Sequence, residues 1–168
     1  PAKGRTNLVL SEVKFSEDNW RKKHIKTMQG SYSQAPFFKT YFPRVEEIIM
    51  EPSANRLTTM NSNLIKLVMK ILDIQTKTLF ASDMNSHQED PTDRLIHLVK
   101  NAKGTVYLSG EGGANYQEEE KIKSNGIELQ YTNFSNPVYP QLWGEFCPGL
   151  SIVDLIFNCG PEGKKHIE

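Results

Sequence analysis

A glycine-rich segment stands between an apolar run at 105–109 and a helical pattern at 114–124. Residues 109–116 read S-G-E-G-G-A-N-Y. Glycines just ahead of a helix let backbone N–H groups approach an anion closely, as phosphate-binding loops do. The dinucleotide-binding spacing G-x-G-x-x-G is not met, and no Lys-Ser/Thr pair follows. The segment therefore predicts either a substrate contact or a tight turn that needs a positive φ at glycine.

Hydroxyl, carboxylate and imidazole side chains gather on a neighbouring loop. Ser82, Asp83 and His87 follow a β-prone run at 76–81. Serine, histidine and aspartate in one pocket would indicate acyl transfer. The G-x-S-x-G elbow is absent, and nearness along one short loop does not set the geometry of three side chains. A catalytic triad is therefore the less favoured interpretation of this loop.

The metal-ligating residue types are few. The four histidines are scattered, and none stands three or four residues from another ligand in a recognised metal-binding pattern. Cys147 and Cys159 are too few for a disulfide framework or a four-ligand zinc site, although they could pair with each other. We interpret them as reduced thiols. The sequence predicts neither a metal site nor a cofactor.

A basic cluster and an aromatic-rich cluster could each bind a ligand, but both have a more ordinary structural explanation. A basic face at Arg21, Lys22, Lys23 and Lys26 is more typical of a solvated helix than of a phosphate or polysaccharide contact. The aromatic-rich stretch 31–50 could stack on bases or on a sugar ring. Because the chain is neutral and no arginine is interleaved with the aromatic residues, packing of a broken helix onto the core is favoured.

The elements that must position these residues follow from hydrophobic period and capping signals. Helices are predicted at 17–30, 57–72, 90–104, 114–124 and 151–160, and strands at 7–15, 76–81, 105–109 and 127–134. Ser151 with Asp154 three residues on has the spacing of a capping box. The predicted fold is α/β, layered, with a mostly parallel sheet, flanking helices and at least one βαβ unit at 105–134.

Composition limits the classes of partner. The 168 residues carry 20 Lys plus Arg and 20 Asp plus Glu, a formal net charge of zero, so nucleic acid is a poor candidate partner. No apolar run is long enough to span a bilayer, and the first residues do not have the pattern of a secretory signal. The length suits a single domain. We expect a cytoplasmic protein, and the sequence leaves its oligomeric state open.

Several segments together carry a family resemblance. They are N-W-R-K-K-H (19–24), Y-S-Q-A-P-F-F (32–38), the leucine-rich helix at 64–72, P-T-D-R-L-I (91–96), V-Y-L-S-G-E-G-G-A-N-Y (106–116), G-I-E-L-Q-Y (126–131) and L-S-I-V-D-L-I-F-N-C-G (150–160). Taken together and in this order, these segments resemble those of the WbqC-like family. The resemblance implies one WbqC-like domain over 1–168. It also implies that the chain begins inside that domain, without the family's N-terminal segment containing His-Gln-Pro.

The resemblance further implies a role in a bacterial surface-polysaccharide pathway such as O-antigen synthesis. The expected activity is transfer of an acyl or aminoacyl group, glycine being one example, onto a nucleotide-linked or lipid-linked amino sugar. A non-catalytic binding or scaffold protein of the same pathway is the alternative. Catalytic candidates are Ser109, Asp93 and His24. The residues expected to bind substrate are Gly110, Glu111, Gly112, Gly113, Tyr116, Arg94, Asn19 and Arg21, and Asp154 and Asn158 also match the family pattern.

Overall fold

A computed structural model describes residues 9–15, 19–52, 55–86 and 88–167. The helices are α1 (Asn19–Tyr32), α2 (Phe38–Met50), α3 (Leu57–Ile71), α4 (Pro91–Asn101), α5 (Glu119–Ser124), α6 (Ile152–Cys159) and α7 (Lys164–Ile167). The strands are β1 (Val106–Ser109) and β2 (Glu128–Tyr131), and 3₁₀ helices span Leu10–Glu12, Ala81–Met84, Glu111–Asn115 and Gly160–Gly163. None of the described helices has the length and apolarity that crossing a bilayer requires.

The chain divides into two compact units. Unit 1 takes the described residues of Pro1–Gln75 and Asn136–Glu168, and unit 2 takes Thr76–Ser135. Unit 2 is thus a continuous stretch of chain, whereas unit 1 is assembled from segments on both sides of it.

Unit 1 is helical and is built around aromatic side chains. Phe157 of α6 is fully buried. Its ring packs edge-on against Phe38 of α2, with ring centroids 5.2 Å apart, and against Tyr32 of α1 at 5.4 Å. Phe38 and Phe42 stack on each other at 4.4 Å. The prediction that the aromatic stretch packs onto the core is confirmed.

The predicted strand at 7–15 is wrong over its described part. Leu10–Glu12 form a 3₁₀ turn, and Lys14 makes one antiparallel bridge with Arg56. Residues 7 and 8 lie outside the described residues, as do residues 16–18 at the predicted start of the first helix. The apolar alternation slips register after Leu10, which is 63% exposed. The slip leaves too few consecutive residues in phase to build a strand with one buried face.

Unit 2 contains the only sheet in the part of the chain that the structure describes. β1 and β2 are parallel, with Val106 opposite Glu128 and Ser109 opposite Tyr131. Its core is formed by three buried side chains, from α4, α5 and the residue just before β2: Ile96, Ile122 and Ile127. The predicted parallel pairing of these segments is confirmed, and the molecule is mixed α/β.

Two other predictions for unit 2 are wrong. Residues 76–80 pair with no strand, and the chain then turns into the 3₁₀ helix Ala81–Met84. Leu79 and Phe80 stay half exposed, so the run lacks the buried face that would reward pairing. The helix predicted at 114–124 is instead the 3₁₀ helix Glu111–Asn115 followed by α5, because the glycines favour a tight turn over a continuous α-helix.

Candidate functional site

A chain of hydrogen-bonded side chains lies at the carboxyl ends of β1 and β2. Ser109, the last residue of β1, is buried, and its Oγ accepts a hydrogen bond from Gln117 Nε2 at 3.3 Å. The same Gln117 nitrogen donates to the Tyr131 hydroxyl at 2.8 Å. Tyr131 ends β2 directly opposite Ser109, so the parallel register brings the two hydroxyl groups to the same end of the sheet.

The chain continues to charged groups at the surface. The Tyr131 hydroxyl donates to Glu119 Oε1 at 2.7 Å, and Lys123 Nζ lies 3.4 Å from Glu119 Oε2. The hydrogen bond lowers the pKa of Glu119 and raises the pKa of Tyr131, because it favours the carboxylate and the neutral phenol. We call Ser109, Gln117, Tyr131, Glu119 and Lys123 the strand-end network.

The glycine turn is shaped by the buried Ser109. A Cβ at Gly113 would overlap Ser109 Oγ and press on the Gln117 side-chain amide. The Gly113 N–H donates to the Gly110 carbonyl at 2.9 Å, so this N–H is already used within the turn. None of the three glycines of the turn, Gly110, Gly112 and Gly113, has a positive φ. The segment does form a tight turn, but the predicted positive φ is wrong, and glycine is required at 113 because of close packing.

Ser109 is not activated in this arrangement. In the described residues its hydroxyl donates to the Gly110 carbonyl at 3.1 Å and lies 3.4 Å from Gln117 Oε1. An amide is not a base, whereas a serine nucleophile needs a neighbouring base to take its proton. The residues that follow Ser109 in the turn include three that are exposed and could contact a ligand: Glu111, Gly112 and Tyr116.

Asp93 has a structural role at the start of α4. Asp90 caps the helix by accepting from the Asp93 N–H at 2.8 Å, and Pro91 occupies the first turn, as predicted. Lys121 Nζ lies 3.1 Å from Asp90 Oδ1 and 2.9 Å from Asp93 Oδ1. The capping hydrogen bond and Lys121 lower the pKa of Asp90. Arg94, one residue further along, is exposed.

The remaining candidates belong to unit 1. Arg21 is 3% exposed, donates to the backbone carbonyl groups of Ile49 and Glu51, and lies 4.9 Å from the Phe15 ring centroid. It therefore ties α1 to the end of α2. Asn19 is exposed at the first residue of α1, and His24 is exposed with its ring 6.1 Å from that of Trp20.

The catalytic candidates thus divide between the units, with His24 in unit 1 and Ser109 and Asp93 in unit 2. The structure brings Ser109 together with the glycine turn and does not bring Ser109 and Asp93 into one hydrogen-bonded set. Of the strand-end network, sequence reasoning missed Gln117, Glu119, Lys123 and Tyr131. Tyr131 could have been found from the predicted parallel pair, because pairing the two strands places a residue of the second strand opposite Ser109.

Comparison with known proteins decides the family. The model of the WbqC-like protein family matches residues 1–166. The chain belongs to the WbqC-like protein family. An uncharacterized protein of Mycobacterium tuberculosis, Rv1507c, is 28% identical over 166 residues, which are 98% of this chain and 71% of that protein. No solved structure matches.

A second polar cluster lies in unit 1 of this WbqC-like protein. Asp154 of α6 is 4% exposed and accepts from Gln141 Nε2 at 3.1 Å. Burial and a hydrogen bond to Asp154 raise the pKa of Tyr32 to about 12. Asn158 Nδ2 donates to the Asp154 carbonyl at 2.8 Å. Ser151 caps α6 through the Val153 N–H, but the Asp154 side chain turns into this cluster, so the predicted reciprocal capping box is wrong.

The other residues considered for chemistry are dispersed in this WbqC-like protein. Ser82 and Asp83 are exposed on the 3₁₀ helix Ala81–Met84, and His87 lies outside the described residues. Cys147 and Cys159 are both free, the first exposed and the second buried. Within the described ranges, the His, Cys, Asp and Glu side chains form no group of three or more that could hold a metal ion.

Proposed function

We propose that this WbqC-like protein transfers an acyl or aminoacyl group onto an amino sugar during assembly of a bacterial surface polysaccharide, and that the sugar binds at the strand-end network. The observation that carries the proposal is this network at the carboxyl ends of two parallel strands, where open α/β sheets bind their ligands. Family membership supports the pathway. The acceptor is a nucleotide-linked or lipid-linked amino sugar.

The exposed part of the network has the chemistry that sugar recognition requires. Glu119 and Lys123 are each about half exposed, so a carboxylate acceptor and an ammonium donor face solvent beside the Tyr131 hydroxyl. Sugar hydroxyl groups both donate and accept hydrogen bonds. The ring of Tyr116, which is 64% exposed, offers a flat apolar face on which a sugar ring can pack.

Amide formation on an amino sugar does not require Ser109 as a nucleophile. The amine of the sugar attacks the acyl carbonyl of an activated thioester or ester donor, a C–N bond forms, and the C–S or C–O bond breaks. The amine proton passes to the departing sulfur or oxygen, which leaves as the thiol or the alcohol. Because no neighbouring base activates Ser109, this residue is better suited to hold the glycine turn and to position the acceptor.

The test is binding of uridine-diphosphate amino sugars, measured by isothermal titration calorimetry. We expect Tyr116→Ala to weaken binding severalfold, since the variant loses the apolar ring surface on which the sugar packs. Phe80→Ala is the matched control, because Phe80 is a half-exposed aromatic residue of the same unit that lines a separate cavity with residues 101–103. Equal losses in the two variants, or no binding to the unaltered protein, would count against the sugar site.

A non-catalytic binding role is favoured by two observations: Ser109 has only amide and carbonyl partners in the described residues, and Asp93 is engaged by Lys121. Acyl transfer to the amino sugar by the purified protein separates the two roles. Formation of the acylated sugar supports an enzyme, whereas sugar binding without product supports a scaffold. Complementation of a deletion strain by Ser109→Ala, Asp93→Ala and His24→Ala, one at a time, then shows which of these side chains the pathway needs.

A further inference from the structure

Unit 1 contains an apolar pocket that the proposed sugar site does not use. It lies between α1, α2, α3 and α6 and has a volume of about 230 Å3. Its lining side chains are apolar except for two, His24 of α1 and Ser151 at the start of α6. Both polar residues are exposed, whereas Ile49 and Ile156 on the wall are almost completely buried. The pocket therefore has an apolar interior and a polar rim.

The pocket explains an anomaly in α3. This helix carries the most regular apolar period in the sequence, yet only Met60 and Ile71 are buried. Leu64, Leu67 and Val68 all line the pocket and are only partly covered. Side chains on the core-facing stripe of a helix normally meet other side chains. Here part of the stripe faces empty space that an apolar ligand would fill.

The size and polarity of the pocket identify the class of ligand. A dry apolar cavity of about 150 Å3 accommodates benzene, so about 230 Å3 gives room for a chain of roughly eight carbons. The imidazole of His24 and the hydroxyl of Ser151 can both donate a hydrogen bond to a carbonyl or carboxylate oxygen at the rim. A glycyl group would leave the interior empty.

We propose that this pocket binds the hydrocarbon chain of a medium-length fatty acyl group, with the acyl oxygens at His24 and Ser151. The assignment of this group as the donor rests on the proposed transferase function. It narrows the possible donors from acyl and aminoacyl groups to fatty acyl groups. Binding of the chain itself does not depend on the sugar site.

The first experiment measures binding of straight-chain carboxylates to the full chain by calorimetry, at concentrations below micelle formation. Each added methylene contributes about 0.8 kcal/mol when buried, so affinity should rise about fourfold per carbon. The rise should stop near octanoate, where the pocket is full. A rise that continues unbroken to palmitate would indicate an open surface and would overturn the proposal, as would the absence of octanoate binding.

Substitutions then locate the chain. Val68→Phe places a ring in the pocket and should weaken octanoate binding at least tenfold. Ile65→Phe is the matched control, because Ile65 lies on the same helix, is 55% exposed and does not line the pocket. His24→Ala should weaken octanoate severalfold more than octanol, which has no acyl oxygen. Circular dichroism checks the fold of each variant. Equal octanoate affinity in the two phenylalanine variants contradicts the assignment.

The two proposals can fail separately. Octanoate binding that follows the expected length dependence, together with absent sugar binding, keeps the acyl site and removes the transferase. Sugar binding without octanoate binding keeps the sugar site and restores aminoacyl donors.

Discussion

At the scale of single residues, small and buried side chains set the geometry of the candidate site. Gly113 has no side chain because Ser109 Oγ occupies the space where a Cβ would stand. Gly112, its neighbour on the same turn, faces open space. Two adjacent glycines of identical chemistry are therefore under different constraints, which a glycine-rich pattern cannot distinguish.

We expect Gly113→Ala to lower the free energy of unfolding by about 1–3 kcal/mol, the usual cost of forcing an added carbon into a filled space. Gly112→Ala is the control. It should be neutral or slightly stabilising, by about 0.4–1 kcal/mol, since its φ suits any residue and alanine restricts the unfolded chain. Urea unfolding of the two variants measures both effects. Equal stabilities would refute the close packing of Ser109.

Tyr32 gives a pH-dependent prediction. Burial and a hydrogen bond to Asp154 raise its pKa to about 12 from the usual value of about 10, because both disfavour the phenolate. Between those values the unfolded chain loses the phenol proton and the folded chain keeps it, so stability falls as pH rises from about 10 to about 12. Tyr32→Phe should make the stability curve flatter over this range. An unchanged alkaline slope, measured by urea unfolding, would contradict the raised pKa of Tyr32.

At the scale of elements, capping and period predicted the helices better than apolar runs predicted the strands. α3 and α4 lie close to their predicted bounds, since a 3.6-residue period and an Asp-Pro start act within the segment itself. The run at 76–81 has strand-forming residues, but pairing depends on a partner that local sequence does not specify. Ser109 could be chosen as a candidate from the local glycine-rich pattern, whereas the hydrogen bonds that connect it to Gln117, Tyr131 and Glu119 form only when the chain folds.

One lysine connects the start of α4 to α5. Lys121 of α5 contacts Asp90 and Asp93 of α4. We expect Lys121→Met to lower the urea midpoint of unfolding, since both carboxylates then lose their cation, and to bring the pKa of Asp90 back toward its ordinary value. Lys123→Met is the matched control on the same helix, because it contacts Glu119 and Glu120 instead. An Asp90 titration by NMR that is the same in both variants would show that Lys121 has no such role.

At the scale of the whole molecule, the two units depend on different parts of the sequence. Unit 1 needs α6, because Phe157 fills the space between Tyr32, Phe38 and Phe42. The helices of unit 1 could be predicted separately, but their packing around one ring could not, since it joins residues more than a hundred positions apart.

We expect Phe157→Ala to lower the stability of unit 1 by about 3–5 kcal/mol, as for other large-to-small changes in a closed core. Val138→Ala, at a position 71% exposed in the same unit, should change stability by less than about 0.5 kcal/mol. Tryptophan fluorescence during unfolding follows unit 1, since both tryptophans, Trp20 and Trp143, belong to it. Similar small losses in the two variants would exclude Phe157 as the centre of the core.

The discontinuity of unit 1 has a consequence for synthesis on the ribosome. The chain must pass through all of Thr76–Ser135 before α6 exists to cover the aromatic face of α2. At about 5–20 residues per second, the interval from residue 75 to residue 152 lasts roughly 4 to 15 seconds. Throughout that interval the nascent chain exposes Phe38 and Phe42, so a ribosome-bound chaperone is expected to hold it until Phe157 emerges.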